Sequence, residues 1–295
     1  MNISVEPGTY VIAVSGGVDS VALLHLLQDQ ADINLTVAHF DHGIREDSKA
    51  DRHFVQRLAD DYKLPYVFDV GKLGPAASEA EAREARYTFL QKVADSINAD
   101  SIITAHHKDD VVETAIINLM RGTGRKGLTS LGTRNGITRP LTGIPKENLI
   151  AYAKDQGLVW REDSTNQDDT YLRNYVRHQI TNQFDQTTQQ EFSEILNNQK
   201  RVNEELDKLL IEELQTHSRE NVINRQWFIQ LPHNVAKEIM ATWLRSNSIY
   251  NFDSGTLERL VVAAKTGQSG RSFDVISGAS MNVSKHGLAL NRFER

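Results

Sequence analysis

The chain has 295 residues, 39% hydrophobic and 24% charged, which is a globular balance with room for two domains, and it contains no apolar run near the roughly 20 residues of a membrane span. The absence of cysteine excludes disulfides, thiolate metal sites and cysteine nucleophiles together. A net charge of -6 excludes a uniformly basic nucleic-acid coat, and the opening MNISVEPGTY lacks the basic and apolar regions of a secretory signal, so a soluble, cytoplasmic chain without a membrane partner is expected.

Short β-branched runs at residues 10–14, 35–40, 66–70 and 101–106 alternate with helix-period stretches at 21–30, 48–62, 79–98 and 108–121. Strands separated by crossover-length helices predict an α/β fold, an open parallel sheet with helices on both faces. Ligands of such sheets sit beyond the carboxyl ends of the strands, so the loops after Val14, Phe40 and His106 are expected to face one crevice. Residues 122–136, rich in Gly and Thr, read as a long mobile loop, and Pro145 fits the first turn of a helix running to Gln156. From about Asp185 long polar helices take over, with a bridging helix at 191–217, helices at 232–246 and 254–265, and strand-like runs at 272–276 and 287–293. The expected organisation is a catalytic domain over 1–184 and a helical linker plus a smaller α+β domain over 185–295. Residues 121–177 carry ten Lys/Arg against six Asp/Glu, a local excess of basic charge in an acidic chain.

The segment Val11-Ile-Ala-Val-Ser-Gly-Gly-Val-Asp-Ser20 places two glycines and two serines between a buried strand and a helix start. Gly16 and Gly17 allow close approach of a ligand, and the free N–H groups and helix dipole attract phosphate. The loop lacks the lysine that reaches a γ-phosphate, which favours attack at the α-phosphate with pyrophosphate leaving. Ser15 and Ser20 would then add hydroxyl donors, and Asp19 would suit Mg2+. The plain alternative is a strand-to-helix turn capped by Asp19 or Ser20.

The string resembles the signature of the PP-loop ATP pyrophosphatases, whose fold is the adenine nucleotide α-hydrolase type. Further motifs narrow the resemblance: His39-Phe-Asp-His-Gly-Ile-Arg45, Glu79-Ala-Glu-Ala-Arg-Glu-Ala-Arg-Tyr87, Ala105-His-His-Lys-Asp-Asp-Val-Val-Glu-Thr114, Arg121-Gly-Thr-Gly-Arg-Lys-Gly-Leu128, Arg139-Pro-Leu141, Asp163-Ser-Thr-Asn166 and Arg173-Asn-Tyr-Val-Arg177. In this order they look like tRNA(Ile)-lysidine synthases over residues 10 to about 180. The likeness is to a short form without the extra C-terminal domain of longer members.

The resemblance implies a ligase that uses ATP and Mg2+ to join L-lysine to C2 of the wobble cytidine in the CAU anticodon of tRNA(Ile), through an adenylated cytidine, releasing pyrophosphate and AMP. It implies catalysis by Asp19, His106 and Asp110, and ATP or pyrophosphate binding by Ser15, Gly16, Gly17, Val18, Asp19, Ser20 and His39, with Mg2+ on Asp19. Asp110 and Glu113, three apart on a predicted helix, share a face and match the family's lysine site. Implied tRNA contacts are Arg83, Arg86, Arg121, Arg125, Lys126, Arg139, Arg173 and Arg177; the last two, one turn apart, would present two guanidinium groups together. A homodimer is compatible with all of this. Lys146 stands where members more often carry Arg, and Arg177 lacks the usual following proline. His39 and His42 stay open between packing and function, and His107 between function and a helix cap. Two rival readings remain: a metal-dependent phosphohydrolase using His39, His42, His106, His107, Asp109 and Asp110, and a noncatalytic nucleotide sensor. A tRNA thiolase is disfavoured by the lack of cysteine.

Overall fold

The computed structural model describes residues 1–43, 48–71, 78–132, 136–161, 172–250 and 252–292. Its N-terminal half runs β1 (Gly8–Ala13), α1 (Val18–Leu27), β2 (Ile33–Asp41), α2 (Ser48–Asp61), β3 (Tyr66–Val70), α3 (Glu79–Ser96), β4 (Ser101–Ile103), α4 (Lys108–Met120), α5 (Arg125–Leu128), β5 (Ile137–Thr138), α6 (Lys146–Asp155) and α7 (Leu172–Gln179). All five strands are parallel, in the order β3-β2-β1-β4-β5.

Alternation along β1 explains the two-sided cover, because successive side chains point to opposite faces. Tyr10, Ile12 and Val14 pack with Leu23, Leu24 and Leu27 of α1 and Val55 and Ala59 of α2. Val11 faces the other way, onto Tyr87, Leu90 and Val93 of α3. The predicted open α/β sheet with helices on both faces is therefore present.

The chain builds outward from β1 to β3, then returns to place β4 on the other side of β1. This reversal opens a crevice beyond the carboxyl ends of β1 and β4, between the loops that follow them. β4 ends at Ile103, so residues 104–107 belong to the crevice-facing loop rather than to the expected strand through His106.

Two other expectations are corrected. Pro145 is the N-cap of α6, one position before its first turn. The predicted mobile loop at 122–136 contains α5 and a 3-10 turn at Ser130–Gly132. Gly122, at φ +68°, ends α4 in a Schellman motif: its N–H meets Leu119 O at 3.0 Å and Thr123 N–H meets Asn118 O at 3.1 Å. The Asn118 amide then donates to Gly127 O at 2.6 Å and to Ser130 Oγ at 3.0 Å. These bonds lie across a helix end, where local composition does not reveal them.

The chain forms two units, Met1–Lys200 and Arg201–Arg295, divided within α8 (Gln186–Thr216). The second unit adds β6 (Ser218–Arg219), β7 (Val222–Asn224), α9 (Arg225–Gln230), α10 (His233–Ser246), α11 (Ser254–Thr266), β8 (Arg271–Ile276), β9 (Ala279–Val283) and β10 (Gly287–Arg292). It is an antiparallel sheet of order β6-β7-β10-β9-β8 with helices packed around Phe228, Trp243 and Leu244. Buried Arg225 is held by the carbonyls of Ala264, Gly267 and Ser284. Among the described residues no helix is long and apolar enough to cross a membrane.

Candidate active site

The loop after β1 is organised from inside by Ser20. Its hydroxyl donates to Gly17 O at 2.9 Å and accepts from the N–H groups of Ser15 and Gly16, each at 3.2 Å. Ser20 thus shapes the loop, in place of the expected role of offering its proton to a ligand. Ser15 is exposed at the loop surface. Gly16 has φ +96°, a region that disfavours a side chain, and Gly17 is the N-cap of α1 with no side-chain cap. An uncapped helix start, beginning at buried Val18, leaves first-turn N–H groups for an anion. Neither Asp19 nor Ser20 is the cap.

Asp19 lies in this first turn with Oδ1 buried and unpartnered among the described residues, while Oδ2 lies 3.7 Å from His107 Nε2 and 3.8 Å from Lys146 Nζ. Burial pushes its carboxyl up, against the His107 and Lys146 charges. A lone orphaned carboxylate oxygen beside a phosphate-binding loop fits Mg2+, which takes one or two protein carboxylates and completes its shell with phosphate and water.

His39, at the end of β2, is buried and donates Nδ1–H to Val14 O at 2.8 Å. A carbonyl only accepts, which fixes the tautomer; burial holds this imidazole below its ordinary pKa and therefore neutral. His39 thereby ties β2 to the root of the phosphate loop. His42 packs edge-on against Phe40 at 5.1 Å.

The two adjacent histidines before α4 are pushed apart. His106, 2.8 Å from Thr104 Oγ1, drops to about 3, chiefly through burial, with the charges of Arg139, Arg83 and Arg86 acting in the same direction. His107 is raised: burial lowers it, but Asp109, Asp110 and Asp19 together outweigh that. Its Nε2 lies 3.4 Å from Asp110 Oδ2. His107 is the N-cap of α4, and its backbone N–H donates to Asp110 at 2.9 Å. Cap and charge centre therefore coincide. Two adjacent imidazoles shifted in opposite directions are two roles set by environment.

Asp110 and Glu113 do share one face of α4, but a cation already occupies it. Arg177 of α7 meets the buried Glu113 carboxylate twice, Nε to Oε1 at 2.6 Å and Nη2 to Oε2 at 2.9 Å, and its Nη2 lies 3.7 Å from Asp110. Burial raises Glu113, opposed by Arg177. Arg173 donates to Thr114 at 3.2 Å. The pair expected to face RNA phosphates thus turns inward onto α4, because a buried carboxylate requires a counter-charge.

Of the other basic residues, Arg83 and Arg86 stack over the Tyr87 ring at 4.8 and 5.5 Å, and Arg139 donates to Leu131 O. These three lie close enough to act on His106, whereas Arg121 is exposed at the C-cap of α4 and Arg125 and Lys126 are on α5. The Asp163–Asn166 motif, Ile44 and Arg45 lie outside the described residues.

A cavity of about 90 Å3 opens beside these groups, lined by His107, Asp109, Glu113, Lys146, Arg177 and the start of α8 at Gln189 and Ser193, among others. Asp110, buried, is not among its lining residues. What sequence reasoning misses is the contact between Asp109 and Lys146 and their place on this cavity: Asp109 accepts the Lys146 backbone N–H at 3.2 Å, joining the starts of α4 and α6. Their only sequence signal is position, one near His107 and the other after Pro145. Of the histidines and aspartates considered for a metal cluster, His107 lies close to Asp109 and Asp110, but among the described residues no group of three or more His, Asp or Glu is arranged to hold one ion.

The profile of the PP-loop domain family matches residues 3–184, the region that carries the loop and the crevice. The chain belongs to this family. The chain is 39% identical over 186 residues to the tRNA(Ile)-lysidine synthase of Thermotoga sp. (strain RQ2), covering 59% of this chain and 45% of that protein. It is 44% identical over 174 residues to the tRNA(Ile)-lysidine synthase of Thermus thermophilus, covering 57% and 34%. The chain thus matches less than half the length of these relatives. Among solved structures, the U34-tRNA thiolase NcsA from Methanococcus maripaludis is similar at a TM-score of 0.54 and 16% identity, over 68% of this chain and 74% of that one, a likeness of fold alone.

Proposed function

We propose that this chain is an ATP-dependent ligase of the tRNA(Ile)-lysidine synthase type, forming a C–N bond between lysine and the wobble cytidine of a CAU anticodon. The observation that carries the reading is the uncapped α1 start at the β1/β4 reversal, with the orphaned Asp19 oxygen beside it. Such a loop receives phosphate but has no lysine for γ-transfer.

Cytidine O2 attacks the α-phosphorus, the bond to the β-phosphate breaks, and pyrophosphate leaves along the loop. The lysine ε-amine, having lost a proton, then attacks C2; the C2–O2 bond breaks and AMP departs with that oxygen. Mg2+, held by Asp19, would offset charge on the pyrophosphate. Neutral His106 offers a hydrogen bond to nucleotide but is a poor base with a pKa of about 3. The lysine side chain is assigned to the cavity bounded by Asp109 and Glu113, where its ammonium competes with Arg177 for negative charge. Arg83, Arg86 and Arg139 gather positive potential near His106, in keeping with an RNA phosphate close by.

The deciding assay incubates the protein with ATP, radiolabelled lysine and isoleucine tRNA bearing CAU. Label in RNA with stoichiometric AMP and pyrophosphate is the expected result; ADP and orthophosphate with unlabelled RNA would reject it.

A further inference from the structure

Arg161, which no sequence motif singles out, touches the phosphate loop through its main chain. Its backbone N–H donates to Gly16 O at 2.9 Å. In a trans peptide the carbonyl and the next N–H point in opposite directions, so fixing Gly16 O also fixes where Gly17 N–H points. That N–H is 3.4 Å from Ser15 Oγ, on the loop's serine side. Arg161 therefore helps set the aim of one of the loop's own donors, whatever side chain it carries.

The side chain has a separate partner. Its Nε bonds Asp51 in the first turn of α2. Phe54 and Val55, one turn further along α2, stand 3.5 Å from the position a Gly16 Cβ would take, so the ion pair lies beside the same loop. The Arg161 side chain is 41% exposed and that of Asp51 17%. The guanidinium is the more exposed partner of this pair, so an anion arriving from solvent can compete with Asp51 for it. Phosphate offers it stronger, bidentate charge-assisted bonds.

We propose that Arg161 donates its guanidinium to the pyrophosphate end of the bound nucleotide, and that Asp51 competes with phosphate for it. This rests on the pyrophosphate reading of the loop and names a further phosphate-contacting residue for it. The main-chain bond keeps the donor within one residue of the loop, and the ion pair keeps it from binding anions indiscriminately.

The test titrates inorganic pyrophosphate with Mg2+ into the full chain by calorimetry, with a thermal melt of every variant. Arg161→Ala should raise Kd about tenfold or more with an unchanged melt, since its main-chain bond survives, and Arg161→Lys should recover part of the loss. Asp51→Asn should tighten binding several-fold with Arg161 present and not in the Arg161→Ala background. If Asp51→Asn weakens binding like Arg161→Ala, the pair is a structural tie and the inference fails. It also fails if the tightening persists at full size without Arg161, which would be a field effect of Asp51 alone. Unchanged affinity in Arg161→Ala with a wild type that binds removes only this inference. A wild type that binds no pyrophosphate removes the reading of the loop as well.

Discussion

Arg177→Ala tests the buried pair that joins α4 to α7. Glu113 is 1% exposed and receives two Arg177 bonds, at 2.6 and 2.9 Å. Removing one partner of a buried pair leaves an uncompensated charge, a loss of roughly 3–5 kcal/mol; with the Arg177 side chain 21% exposed, the lower end, about 3 kcal/mol, is expected. For a unit of this size each kcal/mol shifts the melting point by about 2–4 °C, so the variant should melt roughly 6–12 °C lower. The loss also has a pH signature. Glu113 has a folded-state pKa already raised by burial, and losing Arg177 raises it further. Its favourable contribution is complete below the unfolded value of 4.5 and is lost as pH rises through the folded value, so the deficit of the variant should be smaller at pH 5 than at pH 8. Urea titrations of both proteins at the two pH values measure this, and Glu113→Leu with Arg177→Met should restore much of the stability. A deficit below about 1 kcal/mol, or one equal at both pH values, would refute the reasoning.

Asp19→Asn should abolish pyrophosphate release without lowering the melting point, because an aspartate whose pKa is raised by burial is a net burden when ionised at neutral pH; a melt that falls together with activity would make Asp19 structural. Ser20→Ala leaves the N–H groups of Ser15 and Gly16 without their shared acceptor, worth about 1–3 kcal/mol, and should raise the KM for ATP more than Ser15→Ala does; equal effects would contradict the inward role of Ser20. By imidazole NMR, His106 should stay neutral from pH 7 down to about 4 while His107 titrates above the ordinary imidazole value, and two ordinary titrations near 6.5 would overturn the assignment. By linkage, the His106 contribution to stability is complete above 6.5 and falls as pH drops toward 3, whereas that of His107 is complete below 6.5 and falls as pH rises through its raised value.

Periodicity alone determined much of this protein. Alternating β-branched runs and helix-period stretches are enough to predict a parallel sheet with helices on both faces, because the central strands β1 and β2 are buried under both layers and carry mostly apolar residues. The Ser-Gly-Gly-x-Asp-Ser string likewise marks the phosphate loop, since strand, glycine turn and helix start are local features. Strands β5, β6 and β7, two or three residues each, and β9, with sequence ASMNV, were illegible, as little in their composition distinguishes them before a neighbouring strand supplies the pairing. Only the tertiary structure decided which charges meet. Helical spacing put Asp110 and Glu113 on one face and Arg173 and Arg177 on another, but the packing of α4 on α7 turned those faces toward each other. The same holds for Arg161 at Gly16 and Lys146 at Asp19, contacts 145 and 127 positions apart in the chain, which strand order and helix docking create and no local pattern encodes.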